Sequence, residues 1–498
     1  MLRCFGRMLK HLVTSAVVPA ACAALTCAAL MSSHAYGQVQ SPPGAEGPAI
    51  GKVIDRVPCA SDSTETYALY VPSSYQAEKA WPIIYTFDPE ARGDTPVHLY
   101  KDAAEKFGFI LAASNNSRNF QNGSGMKAAQ AVWEDTHRRL KIDPRRVYMM
   151  GFSGGARVAT QMALVCENCN VAGVIAHGAG YPVSPHPSEK DHFAYFSFIG
   201  EQDFNWPEIM DLRRQKEEWG NPYRLRIFAG GHQWAPASVF DGALAWLQLK
   251  AMQNGSAPRD AAFIEQSLAA TQKEAADALQ RQDVIAQFEA YRSLATDFSG
   301  LKDVTEYQAR LAALKNSPEL KKAFKKLQAG VDRQHALTDA ISAKLSQVAD
   351  ASLDTQAELR VQIVDAMTDL LSKAKRETDE ETRLIYRRAV NDVWAQTVEA
   401  GQAELETKKH LDRAEFYFQI LSMVTPNQPW PVLLLAETNA LRGDKKRAMK
   451  DLHEAVKRGL NDAASISEDE NLQTLRSEAE FQQVVAELKA KSASQSIR

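Results

Sequence analysis

The sequence predicts an α/β half, a mostly parallel sheet flanked by helices, followed by an all-α half. Three observations predict it. Short apolar runs alternate with amphipathic stretches as far as Met252, and the break "QNGSAP", Gln253–Pro258, then interrupts the chain. Beyond it, neither glycine nor proline occurs between Gly330 and Gly401. Such alternation builds parallel sheets covered on both faces, and long breaker-free stretches with helical apolar spacing build helices.

The N-terminus carries its own pattern. Arg3, Arg7 and Lys10 precede an uncharged stretch from Leu12 to Met31, and small residues follow, with Ala35 and Gly37 at −3 and −1 of a cleavage site. This is the order of a secretory signal, so residues 1–37 are expected to be removed and the chain exported, to the periplasm or outside. Cleavage after Ala35 is the competing site. The alternative is an uncleaved anchor, since about 20 apolar residues span a bilayer. Alanine-rich composition and Pro19 argue against it, and no later stretch resembles a span.

Gln38–Ala49 is Pro/Gly-rich and expected to be irregular. The strands expected next are Tyr67–Val71, Pro82–Phe87, Phe109–Ala113, Val147–Met150, Val171–Ala176, Phe193–Ile199 and Arg224–Phe228. Helical patterns fall at Ala128–Arg139 and Ala237–Met252. The expected division is thus an α/β domain over 38–255 and a helical region over 256–498. In that region Ile363, Met367, Leu370, Leu371 and Ala374 take helical spacing. Near the end, Ala414 pairs with Ala448, Phe418 with Leu452 and Leu421 with Ala455, each 34 residues apart. That is the tetratricopeptide period, and "LLLAETNALRGDKKRAMKDLHEAVKRG" resembles one such helix pair. An undifferentiated helical domain is the alternative for residues 259–400. A helical array of this type offers a surface for a protein partner.

Composition excludes some classes. Hydrophobic content of 45% and charged content of 24% are ordinary for a globular chain. A formal charge of −3 gives no electrostatic reason to expect nucleic acid. Beyond the signal the cysteines are Cys59, Cys166 and Cys169. Zinc normally needs four such ligands, so no metal is expected. Either a local Cys166–Cys169 disulfide forms, or one of that pair joins Cys59.

The chemistry concentrates in "VYMMGFSGGARVATQMALVC". Gly151, Ser153 and Gly155 fit G-x-S-x-G, in which a strand ends, the serine takes a strained corner and a helix begins. Val147–Met150 reads as the strand, and Val158, Met162, Val165 and Cys166 read as one face of the helix. A serine nucleophile needs a base, and the base needs an orienting acid. In the α/β-hydrolase fold the chain order is Ser, acid, His, each on a loop at a strand's C-terminal end. The loop "GEQDFNW" offers Asp203, with Glu201 as the competitor, and "AGGHQW" offers His232. His177, His186 and His192 fail on chain order or on strand edge. Because all three candidates precede Gly255, the helical half is expected to be an appended module outside the site.

Several segments together, "ALYVPSSYQ", "WPIIYTFDP", "FGFILAASNNSRN", "KIDPRRVYMMGFSGGAR" and "GGHQWAP", resemble exported esterases of the poly(3-hydroxybutyrate) depolymerase and feruloyl esterase type. The resemblance covers residues 65–250. It implies hydrolysis of a carboxylic ester, of a small molecule or a polymer, through an acyl-serine, without cofactor. The family's His-Gly segment after the first central strand is missing here; "TFDPEARG" stands in its place, and Pro89 has no N–H. The main-chain N–H of Gly154 is the expected first oxyanion donor and that of Glu90 the second. Asn115, Asn116, Asn205, Trp206 and Trp234 border the expected site as substrate-binding candidates. Two other readings compete: a tetratricopeptide-like interaction scaffold with a degenerate hydrolase half, and a serine peptidase on the same fold.

Overall fold

The computed structural model describes residues 49–119 and 123–495. The expected signal over 1–37, its cleavage site and most of the Pro/Gly-rich stretch lie outside them. Among the described residues no helix is long and apolar enough to cross a membrane.

The α/β half is one eight-stranded sheet: β1 (Val53–Pro58), β2 (Thr66–Tyr70), β3 (Trp81–Phe87), β4 (Ile110–Ser114), β5 (Ile142–Phe152), β6 (Val171–His177), β7 (Ala194–Gly200) and β8 (Tyr223–Phe228). Their order across the sheet is β1-β2-β4-β3-β5-β6-β7-β8. β1 and β4 run antiparallel to β2, and every other pairing is parallel. This is the expected α/β-hydrolase arrangement. All seven expected strands form, most shifted by one or two residues, and β5 starts five residues earlier than read. β1 is the strand the sequence hid. It lies at the sheet edge with Asp55 and Arg56 exposed, so it shows little apolar alternation.

Five helices cover the sheet: α1 (Asp94–Phe107), α2 (Ser124–Arg139), α3 (Gly154–Val165), α4 (Trp206–Trp219) and α5 (Ala237–Gln253). Alternate residues of each strand feed opposite cores, as the pleat requires. Val147 and Met149 pack with α2 and α3 on one face. Tyr148, Met150 and Phe152 pack with α1 and α5 on the other. The buried face of α3 differs from the one read in sequence. Gly155, Ala156, Ala159, Thr160 and Met162 are buried, while Val165 is 48% exposed. Small residues win that face because the helix must lie close against the sheet.

Beyond Gly255 the chain is helical: α6 (Ala261–Gln280), α7 (Val284–Asp297), α8 (Thr305–Asn316), α9 (Pro318–Gln347), α10 (Leu353–Arg376), α11 (Glu380–Thr407), α12 (Leu411–Val424), α13 (Trp430–Leu441), α14 (Lys445–Lys457), α15 (Ala463–Ser467) and α16 (Ala479–Gln495). Ile363, Met367, Leu370 and Ala374 are buried as their spacing predicts, but Leu371 faces outward. Both members of each 34-residue pair are fully buried, and α13 and α14 form the helix pair read from the sequence.

The two halves are joined by desolvated ion pairs as well as apolar contact. Arg224 of β8 and Lys250 of α5 both hold the Asp297 carboxylate, at 2.9 and 2.8 Å, and Arg213 of α4 pairs with Glu289 of α7 at 2.7 Å. These cations hold the buried Asp297 carboxyl below its usual range against the opposing effect of burial. Val331 of α9 packs against Ile199, Trp206, Ile209 and Met210 of the α/β half. Cys166 and Cys169 form the local disulfide, and Cys59 is a buried thiol.

Candidate active site

Parallel register brings the C-terminal ends of the central strands to one edge of the sheet. Phe87 pairs with Gly151, Phe152 with His177, and Gly200 with Phe228. The loops after β3, β5, β7 and β8 therefore emerge side by side, and they carry Asp88, Ser153, Asp203 and His232.

Ser153 sits at φ +51°, ψ −122°, the strained corner that G-x-S-x-G predicts. Its N–H donates to the His177 carbonyl at 2.8 Å, which helps hold the corner. Glycine is required on both sides because the backbones touch. A Cβ at Gly151 would overlap the backbone of Gly155, and one at Gly155 would overlap the Phe87 carbonyl. The strain is over-determined by packing, as strain at a functional corner must be.

The Ser153 Oγ lies 2.9 Å from His232 Nε2, and His232 Nδ1 lies 3.0 Å from each carboxylate oxygen of Asp203. Asp203 is fully buried, and its Oδ1 also accepts the Asn205 N–H at 2.9 Å. The His232 ring packs between Phe152 and Phe204, with centroids 4.6 and 4.2 Å away. The structure thus brings Ser153, Asp203 and His232 into one hydrogen-bonded line, 29 and 79 residues apart in pairs. In that line a base can deprotonate the serine while a fixed carboxylate holds the imidazole's other nitrogen. Glu201 takes no part in it. His177, the buried rival, stacks on Phe198 behind the site, and burial drives its ring down to about 3, so it stays neutral.

Other candidates are placed differently. Glu90 does not have a free N–H; it donates to Asp88 Oδ1 at 2.9 Å, a local turn that short acidic side chains favour. Gly154 opens α3, where an N–H has no acceptor within its own helix. Asn115 spends its amide on the Asp55 carbonyl and the Thr66 hydroxyl, and Asn116 pairs with the backbone of Thr64 and Thr66. Both brace β2 and its entry loop. Asn205 donates to the Gly178 carbonyl at 2.7 Å and so fixes the acid loop. Trp206 is buried beneath Arg388. The Trp234 indole N–H donates to Asp88 Oδ2 at 2.9 Å. With Arg92 bonding both oxygens of the same carboxylate, Asp88 is neutralised despite lying beside the elbow. Tertiary packing turned these polar and aromatic loop residues inward, because buried donors and carbonyls need partners.

Three features had no signal in the sequence. The Asn119 carboxamide lies directly against Gly154, where any Cβ would overlap it. Arg157, one turn past Ser153, binds Glu208 through both terminal guanidinium nitrogens at 2.8 and 2.7 Å and donates to the Tyr181 carbonyl. The third corrects the expectation that the helical half stands apart from the site. Arg388, Asn391 and Gln334 hydrogen-bond the loop that carries Asp203. Further along α11, burial raises the Glu399 carboxyl above its usual range, and the charges of Arg157 and His232 pull it back. Among the described residues no cluster of His, Cys, Asp and Glu could hold a metal ion.

No family model matches the chain, and no curated protein matches it. Solved structures resemble it distantly. S-formylglutathione hydrolase (FrmB) from Staphylococcus aureus is 13% identical over 37% of this chain and 90% of its own, with a TM-score of 0.30. A ferulic acid esterase is 17% identical over 40% of this chain and 98% of its own, with a TM-score of 0.32. Esterase LipW from Mycobacterium marinum is 17% identical over 40% and 82%, also at 0.32. At such identities the likeness says nothing of the reaction.

Proposed function

We propose that this chain is an exported serine hydrolase that cleaves carboxylic esters through an acyl-serine intermediate. The observation that carries the reading is the unbroken Ser153–His232–Asp203 line, with contacts of 2.9 and 3.0 Å, at a strained and glycine-packed corner. Export rests on the basic head and apolar stretch of residues 1–37.

In this reading Ser153 Oγ attacks the ester carbonyl carbon as His232 Nε2 takes its proton. The oxyanion forms against the Gly154 N–H, a donor aimed where charge develops. His232 then gives the proton to the departing alcohol, leaving an acyl group on Ser153. Water repeats the sequence and releases the acid. Asp203 fixes the imidazole tautomer and stabilises the transient imidazolium. Its burial and its bonds to Asn205 and the His232 ring leave it no other geometry.

Fluorophosphonate labelling followed by peptide mapping tests the reading directly. The label is expected on Ser153, and turnover on a panel of aryl, acetyl and hydroxyalkanoate esters is expected to vanish with it. A folded Ser153→Ala protein that cleaves these esters as fast as the wild type overturns it.

A further inference from the structure

The loop between β7 and α4 is held by two different sets of partners. Its N–H groups are satisfied from within the α/β half. Glu201 N donates to the Phe228 carbonyl at 3.0 Å, Gln202 N to Gly230 at 2.9 Å, and Asp203 N to Gly200 at 3.0 Å. Its carbonyls are another matter. Asp203 O accepts the Trp206 N–H at 3.1 Å, but the carbonyls on either side are bonded from the helical half. Glu201 O accepts from Arg388 at 3.1 Å, Gln202 O from Asn391 at 2.9 Å, and Phe204 O from Gln334 at 3.1 Å. Arg387 adds a contact of 3.2 Å to the Gln202 side chain.

The donors are costly ones. Gln334 is fully buried and Arg388 is 5% exposed. Arg388 makes no ion pair among the described residues; its guanidinium faces the Trp206 ring at 4.4 Å and the Glu201 carbonyl. Burial pulls that guanidinium down to about 10. An unpaired buried cation disfavours folding, so the contact it makes is one the fold maintains against a penalty. Solvent would have satisfied the same carbonyls without fixing them. Protein donors on helices fix them in place, and a displacement of about 1 Å in a catalytic group can cost 100-fold in rate.

We propose that Gln334, Arg388 and Asn391 are positioning residues for Asp203, so that docking of α9 and α11 completes the catalytic acid. The proposal rests on the serine-hydrolase reading above. The helical half then belongs to the enzyme's working geometry. Undocking it would free three carbonyls of the acid loop and loosen Asp203, while the loop's N–H bonds within the α/β half remained.

The test is a double-mutant cycle in the full-length protein. Arg388→Met and Asn391→Ala are each made in the wild type and in Asp203→Asn, with kcat, KM and thermal unfolding measured for all. In the wild type each is expected to lower kcat about 10-fold or more, KM moving less than threefold, within the cost of a misplaced group. In Asp203→Asn the same changes should alter kcat less than twofold, because the carboxylate they position is already gone. Amide exchange at residues 201–206 should speed up in both variants. Equal losses in both backgrounds, or full kcat in folded variants, overturn the proposal. Asn391 is only half-buried, so Asn391→Ala decides alone where Arg388→Met fails to fold. A wild type that takes no label at Ser153 sinks the hydrolase reading and the proposal together. A labelled wild type with fully active clamp variants sinks the proposal alone.

Discussion

The indole N–H of Trp234 donates to the buried carboxylate of Asp88 at 2.9 Å, tying the loop of His232 to the loop after β3. The bond joins residues 146 apart and lies next to the line from Ser153 to Asp203. Trp234→Phe keeps an aromatic ring but removes the pyrrole half of the buried indole together with its donor to a charged acceptor, the lost hydrogen bond alone being worth about 1–3 kcal/mol. Urea unfolding should show that loss. Because Asp88 is left short of a donor beside the oxyanion position, kcat should fall more than KM rises. Unchanged stability and unchanged kcat would dismiss the link.

Members of the proposed catalytic line act as a unit. Ser153→Ala and His232→Ala should each remove turnover on the order of 10⁵–10⁶-fold in an efficient enzyme, and the double variant should be little worse. Asp203→Asn should cost about 10⁴-fold by permitting the wrong tautomer. Glu201→Gln should change kcat little, since the Glu201 carboxylate makes no hydrogen bond to His232 among the described residues and its contacts there are through its backbone N–H and carbonyl. Steady-state kinetics on one chromogenic ester would separate the two acids.

Glu437 of α13 is buried, and burial, followed by the charge of Asp469, holds its carboxyl well above the usual range. The neutral form is thus favoured in the folded state, whereas the unfolded chain ionises in the ordinary carboxylate range. Its contribution to stability is complete at low pH and is lost as pH rises through the raised folded value. Thermal melts at pH 5 and pH 9 should differ less in Glu437→Gln than in the wild type. An equal difference in both would assign the pH dependence elsewhere.

Burial, reinforced by Asp135 and Glu65, pushes the Cys59 thiol up to about 12. With Cys166 and Cys169 bonded to each other, the native protein from residue 38 onward should react with no thiol reagent at neutral pH. After denaturation without reductant, one thiol should titrate. Three would mean that the disulfide does not form.

Much of the α/β half was legible because its signals are local. An apolar run shows a buried strand wherever it lies, and Gly151-Phe152-Ser153-Gly154-Gly155 encodes its own corner, since close backbones exclude any Cβ. Chain order then selected His232 and the loop that carries both Glu201 and Asp203, and the structure places Asp203 against the imidazole. β1 was missed for the same reason, since an exposed edge strand carries no apolar alternation.

The sequence by itself determined the strand alternation, the strained serine and the loops that carry its partners. Only the tertiary structure decided where the remaining polar groups point. Glu90 N–H went to Asp88, Trp234 to the same carboxylate, and Asn115, Asn116 and Asn205 to backbone carbonyls and neighbouring side chains of their own half. Only the fold could bring Gln334, Arg388 and Asn391 onto a loop 130, 187 and 189 residues away. The physical reason is that a motif fixes backbone conformation within a few residues. The partner of a buried carbonyl is whatever donor packing delivers to it, and no spacing in the chain records that.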